Sequence, residues 1–181
     1  MTEKDKKPGG ASALPPKGVE VTLTGDPIDV AAFRAKRPLE GGLYGGYAAF
    51  EGVIRRYNDG KVVTGIHYEC YEVLAKKELF RILMAALLRH KAGYIEVVHR
   101  TGDLKVGDVA VFVQVMSPHR KEAFAVLDEV MDELKKTVPI WKKEFYEDAS
   151  YAWPRCSHEH NHSSPSSKEK VFESSAPKAP F

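Results

Sequence analysis

The chain has 181 residues, 43% hydrophobic and 29% charged, with a net charge of +2 and two cysteines, Cys70 and Cys156. That is globular composition, which excludes a fibrous or wholly disordered chain, and two cysteines are too few for a disulfide scaffold or a four-Cys zinc site. No apolar run approaches the roughly 20 residues of a membrane span, and residues 1–18 contain no apolar signal region, so no membrane association and a cytoplasmic setting are expected.

The basic excess sits at the ends. Residues 19–153 hold 19 basic and 20 acidic residues, the wrong balance for a nucleic-acid binder, whose folded part should be basic. The head, 1–18, is rich in Pro, Gly and Lys. The tail, 154–181, carries seven Ser, four Pro and His158, His160 and His162. Both read as disordered, because they have little apolar surface to offset the entropy of ordering. One folded domain is expected over 19–153.

Val19–Thr24 alternates at period two and reads as a strand. Asp26, Pro27 and Asp29 then predict a short helix to about Lys36, with Asp26 as N-cap and Pro27 at its first position. Gly41, Gly42, Gly45 and Gly46 form a joint. Tyr47–Arg56 predicts a strand in which Gly52 marks a bulge or a close backbone approach, and Asn58-Asp59-Gly60 a turn that pairs it, as a hairpin, with Val62–Tyr71. Glu72 to about Lys91 is a helix with Leu79, Ile82, Leu83, Ala86 and Leu87 on one stripe and Gly93 as its stop. Tyr94–Arg100 is a strand, 102–108 a turn-rich link, and Val109–Met116 a buried strand. A second long helix is expected from Ser117 (N-cap) and Pro118, with Phe124, Leu127, Val130, Met131 and Leu134 toward the core, ended by Pro139. Ile140–Tyr146 is the last strand. Two long helices and adjacent hairpins predict an α+β fold with a largely antiparallel sheet.

Four places could carry chemistry. His119 and Arg120 fall in the first turn of the second helix, where unpaired N–H groups favour an anion and cations are locally unfavourable. They read as an anion site or as two solvated side chains. Lys135 and Lys136 close that helix, where cations complement its dipole. Lys142 and Lys143 lie on opposite faces of the last strand, with Trp141 and Phe145 beside Lys143 and with Ile140 and Glu144 beside Lys142. Alternation does not say which lysine is sheltered; one in a partly dry site among cations could act as acid, base or nucleophile. Arg55-Arg56 and His99-Arg100 end strands and read as solvated. Cys70 reads as a small buried residue. The tail histidines could bind a metal weakly, but a disordered His-rich tail is the simpler reading, and no metal site is expected.

The segments FEGVIRRYNDG (50–60), HYECYEVLAKKEL (67–79), VHRTGDLKVGDVAVFVQVMSPHRKEAF (98–124) and LKKTVPIWKKE (134–144) resemble the large subunit of molybdopterin synthase, the MoaE family, over about residues 45–153. The resemblance implies an α/β-hammerhead-like fold and a role in molybdenum cofactor biosynthesis. It implies transfer of sulfur to cyclic pyranopterin monophosphate (precursor Z), forming the dithiolene of molybdopterin. The donor would be the C-terminal Gly-Gly thiocarboxylate of a small ubiquitin-like subunit. A homodimer core would carry one small subunit at each end, a heterotetramer, with no cofactor or metal. By motif, Lys135 and Lys142 correspond to the family's active-site lysines, His119 and Arg120 to its His-Arg pair, and Arg55 to its strand-end arginine. The resemblance implies Lys142 at the thiocarboxylate and acyl charge, and Lys135 in proton transfer or substrate positioning. The family's Arg about four residues after the final Trp is matched only by Arg155, two residues after Trp153. The alternative is a non-catalytic anion-binding or scaffold domain of the same fold.

Overall fold

The computed structural model describes residues 18–38 and 42–153. Strands and helices in chain order are β1 (Gly18–Thr24), α1 (Val30–Ala35), β2 (Gly46–Val53), β3 (Tyr57–Asn58), β4 (Lys61–Cys70), α2 (Glu72–His90), β5 (Tyr94–Arg100), β6 (Gly102–Lys105), β7 (Val109–Ser117), α3 (Arg120–Thr137), β8 (Ile140–Tyr146) and β9 (Tyr151–Ala152). The α+β class and the two long helices stand. Among the described residues no helix is long and apolar enough to cross a membrane.

The strands form two sheets rather than one. The first has the order β1-β5-β7-β2, and the second β3-β4-β8-β9 with β6 also on β4. Pairing is antiparallel except for β1 with β5. The expected hairpin of 47–56 with 62–71 does not form. β2 pairs with β7, and the Asn58-Asp59-Gly60 turn closes only the short β3–β4 ribbon. Ala48 of β2 joins the core under the helices, so the tertiary pairing with β7 overrides local hairpin geometry. The bulge is at Gly52/Val53, as the glycine suggests. The supposed link at 102–108 contains β6, which edges β4.

α2 and α3 cover one face of the first sheet. Ala75, Leu79, Ile82, Leu83, Ala86 and Leu87 of α2 meet Ala123, Val126, Val130 and Leu134 of α3 and Ile95, Val97, Val111, Val113 and Val115 of the sheet. On α3, Val130 and Leu134 are buried and Leu127 and Met131 pack against the core as expected, joined by Ala123 and Val126, and only Phe124 departs, 60% exposed. A second core, Ile54, Val63, Ile66, Leu104, Ala110 and Tyr146, sits inside the second sheet.

Three helix boundaries also differ. The cap of α1 is Asp29, whose carboxylate accepts from the Ala32 N–H at 3.0 Å, not Asp26. α2 ends with Lys91 in the left-handed region (φ 56°). Gly93 serves a different need, since a Cβ there would lie 1.9 Å from the Tyr44 ring. α3 is capped by His119, not Ser117. Ser117 stays in β7 because it is paired with Gly46, and the Gly45 N–H donates to the Pro118 carbonyl at 3.2 Å. A Cβ on Gly46 would meet the His119 carbonyl carbon at 2.7 Å, so this close strand-to-helix approach requires glycine.

Candidate active site

The two sheets diverge beneath the C-terminal end of α3 and leave a cavity of about 150 Å3. Val111, Met131, Leu134 and Ile140 make its aliphatic walls, and Tyr68, His99, Lys135 and Lys142 supply its polar groups. A larger groove of about 750 Å3 runs outside it between β2 and α3, along Phe50, Phe124, Leu127 and Asp128. Met131 and Lys135 line both, so the groove and the cavity adjoin. The structure thus brings Lys135 and Lys142 together across seven residues of chain, because Pro139 turns α3 directly into β8.

Strand alternation is resolved in favour of Lys142. Its Nζ lies 2.7 Å from Oε1 of Glu144, two residues along the same face of β8. Glu144 is 2% exposed. Its Oε2 accepts from Asn58 Nδ2 at 2.9 Å and from the Tyr146 hydroxyl at 3.0 Å. Burial alone would raise this carboxyl's pKa. The Lys142 ammonium, with Asn58 and Tyr146, overcomes that and holds it below the ordinary carboxylate range. Asn58 Oδ1 accepts in turn from the Arg55 guanidinium. Arg55, Asn58, Glu144 and Lys142 therefore form one chain of hydrogen bonds. The immediate partner of Lys142 is thus a carboxylate rather than another cation.

The neighbouring lysines are occupied elsewhere. Lys136 is exposed and pairs with Asp132 and Glu133 at 3.8 and 3.5 Å, as a helix-end cation should. Lys143 lies over the rings of Tyr151, Phe145 and Trp153, at 4.1, 5.4 and 5.5 Å from their centres. These contacts pin β9 to β8 by cation–π attraction.

His99 and Arg100 are not solvated. They are 4% and 7% exposed. Arg100 donates to Asp108 at 3.0 Å. His99 meets the Tyr68 ring edge-on at 5.1 Å, and its Nδ1 lies 2.7 Å from the Arg100 carbonyl oxygen. Burial pushes the imidazole down to a pKa of about 4, against a smaller upward pull from that carbonyl. His99, Asn58 and Glu144 are the site residues that sequence reasoning passed over. The signal for His99 was its alternation with Ile95 and Val97, which puts it on the core face.

His119 and Arg120 are exposed and stand at the opposite end of α3. Arg120 and Lys135 are fifteen residues apart in one helix, which at 1.5 Å per residue is about 22 Å. One chain therefore does not gather all the expected residues. The His119 side chain makes no capping hydrogen bond at this helix start. Ser117 Oγ and Glu122 Oε2 are buried there without a hydrogen-bond partner among the described residues. Arg155, the tail histidines and the rest of the two ends lie outside the described residues. Among the described residues there is no cluster of His, Cys, Asp and Glu suited to a metal ion.

Comparison with known proteins gives consistent matches. A family profile described as MoaE protein matches residues 23–137. The molybdopterin synthase catalytic subunit of Staphylococcus carnosus is 38% identical over 106 residues, 59% of this chain and 71% of that protein. That of Synechococcus elongatus is 37% identical over 136 residues, 75% of this chain and 80% of the relative. The crystal structure of molybdopterin synthase from Staphylococcus aureus superposes with a TM-score of 0.67 at 32% identity, covering 75% of this chain and 95% of that one. A complex of subunits 1 and 2 of molybdopterin-converting factor from Helicobacter pylori shares the fold, with a TM-score of 0.58 at 18% identity and coverage of 80% and 92%.

Proposed function

Because this chain belongs to the MoaE family, we propose that its two-lysine cavity is where sulfur leaves a small carrier subunit for the pterin precursor. The chain is a catalytic subunit of molybdopterin synthesis and partners a small sulfur-carrier subunit. The single observation that carries the site assignment is the convergence of Lys135 and Lys142 on one narrow, aliphatic cavity that adjoins a groove. A Gly-Gly tail has no side chains and fits such a space. The groove, with Phe50 and Phe124 40% and 60% exposed, gives its approach an apolar track.

Each residue then has a task. Lys142, fixed by Glu144, faces the terminal acyl group and stabilises the charge that develops on its oxygen as sulfur departs. Lys135, where groove and cavity adjoin, positions substrate or moves a proton. Arg55 reaches the phosphate-bearing precursor from the Asn58 end of the hydrogen-bond chain. His119 and Arg120 are about 22 Å from Lys135 by helix rise, so they serve the site through a homodimer, each chain offering its α3 start to the other's lysines. The nucleophilic sulfur comes on the carrier, so no cysteine of this chain is required. The working unit is residues 19–153, in a cytoplasmic heterotetramer.

Reconstitution tests this. The full chain, a thiocarboxylated carrier and precursor Z should yield the dithiolene product, with conversion of carrier thiocarboxylate to carboxylate seen by mass only when precursor is present. Carrier bound but never desulfurated would favour the scaffold reading instead.

A further inference from the structure

We infer that His99 is the acceptor that registers the sulfur carrier's tail, its Nε2 taking a hydrogen bond from the N–H of the tail's last peptide bond. The inference deepens the proposed function and rests on its placement of the tail in the cavity. His99 lines that cavity with Lys135 and Lys142. Its Nδ1 faces the Arg100 carbonyl oxygen at 2.7 Å. A carbonyl only accepts, so the ring proton must be on Nδ1, which leaves Nε2 a bare lone pair.

The ring is held rigidly for such a role. The Tyr68 ring stands against it at 87°. Burial keeps it neutral at physiological pH, so it accepts and adds no third cation beside the two lysines. The two lysines offer only donors, which suit the terminal thiocarboxylate. They offer nothing to the peptide N–H just behind it, and in aliphatic surroundings an unpaired N–H is costly. A neutral imidazole supplies the missing acceptor, and a bulky or misregistered tail would leave both N–H and Nε2 unpaired. His99 thus checks the register of the tail, while the lysines handle its charge.

The test uses the full chain and the carboxylate form of the carrier in three versions: intact, lacking its last two residues, and with an ester in place of the last amide, which deletes only the N–H. His99→Gln retains an acceptor near the Nε2 position. His99→Asn retains the bond to Arg100 but ends short of it. The wild type should bind the ester carrier about 10-fold more weakly than the intact one, the loss of about one hydrogen bond. His99→Asn should bind intact and ester carriers equally, about 10-fold more weakly than wild type binds the intact one, with affinity for the truncated carrier unchanged. His99→Gln should stay within about 2-fold of wild type for the intact carrier. Equal binding of ester and intact carriers by the wild type overturns the inference, and needs no variant to fold. So does His99→Asn weakening the truncated carrier equally, which marks a structural role. So does weakened binding of precursor Z alone, which assigns Nε2 to a pterin N–H. If the wild type does not distinguish intact from truncated carrier, the tail is not in the cavity and the site assignment itself fails.

Discussion

Lys142 is both a reacting group and half of a buried ion pair, and the two roles predict different variants. Lys142→Ala leaves Glu144, 2% exposed, without its cation. Removing one partner of a buried pair costs about 3 kcal/mol, so this variant should show a lower denaturation midpoint as well as a sulfur-transfer rate about 10²–10³ lower. Lys142→Gln in the Glu144→Gln background removes both charges together and should recover most of the stability but none of the rate. A double variant with near-normal single-turnover transfer would show that Lys142 is structural only. His99 makes a second prediction. Its folded pKa, about 4, lies below its ordinary value of 6.5. The unfolded chain therefore binds the extra proton first. The stability from keeping the ring neutral is complete above pH 6.5 and is lost as pH falls toward 4, by about 3 kcal/mol. The wild type should lose stability over that window relative to His99→Gln, which has no proton to bind. Parallel curves would mean the ring is hydrated in the folded state.

At the scale of elements, the short β3–β4 ribbon matters more than its length suggests. It carries Asn58, whose amide joins Arg55 to Glu144. Asn58→Ala leaves Glu144 one donor short and Arg55 without its acceptor. The cost should be about 1–3 kcal/mol, with transfer about 10-fold slower because Lys142 loses the rigidity of its support. Denaturant midpoints and single-turnover rates measured together check this; an unchanged rate in a destabilised protein would confine the bridge to folding. α3 acts as a rigid rod with function at both ends. Its core stripe of Ala123, Val126, Val130 and Leu134 fixes its rotation. That rotation turns Phe124 outward and Lys135 toward the cavity mouth.

For the whole molecule, the length of α3 separates the lysine site from the His119–Arg120 end. If two chains share sites, the chain alone should sediment at about twice 20.2 kDa. Two inactive variants, Lys142→Gln in the Glu144→Gln background and Arg120→Ala, should then rescue each other when dissociated and mixed. Half the dimers form as hybrids, and each hybrid holds one intact site of two, so about a quarter of wild-type turnover should return. No recovery in demonstrated hybrids would place Arg120 and the lysines in the same chain's site, or Arg120 outside it.

The helices, most strand positions, the α+β class and the family were legible in the residue pattern alone. These follow from short-range periodicity and from contiguous segments such as 98–124 and 134–144. It also put Lys142 and Glu144 on one face, because strand alternation is a local rule. The folded chain was needed to show which strand lysine lines the cavity, that β2 joins β7 rather than β4, and that His99 and Glu144 are buried at the site. It also separated Arg120 from Lys135, which share a helix but stand at its two ends. Those outcomes depend on which surfaces meet across distant parts of the chain. β2 pairs along its whole length with β7 and places Ala48 in the core under the helices, rather than pairing with its neighbour in sequence. The position of α3 over the sheets then decides which polar groups are shut away from water.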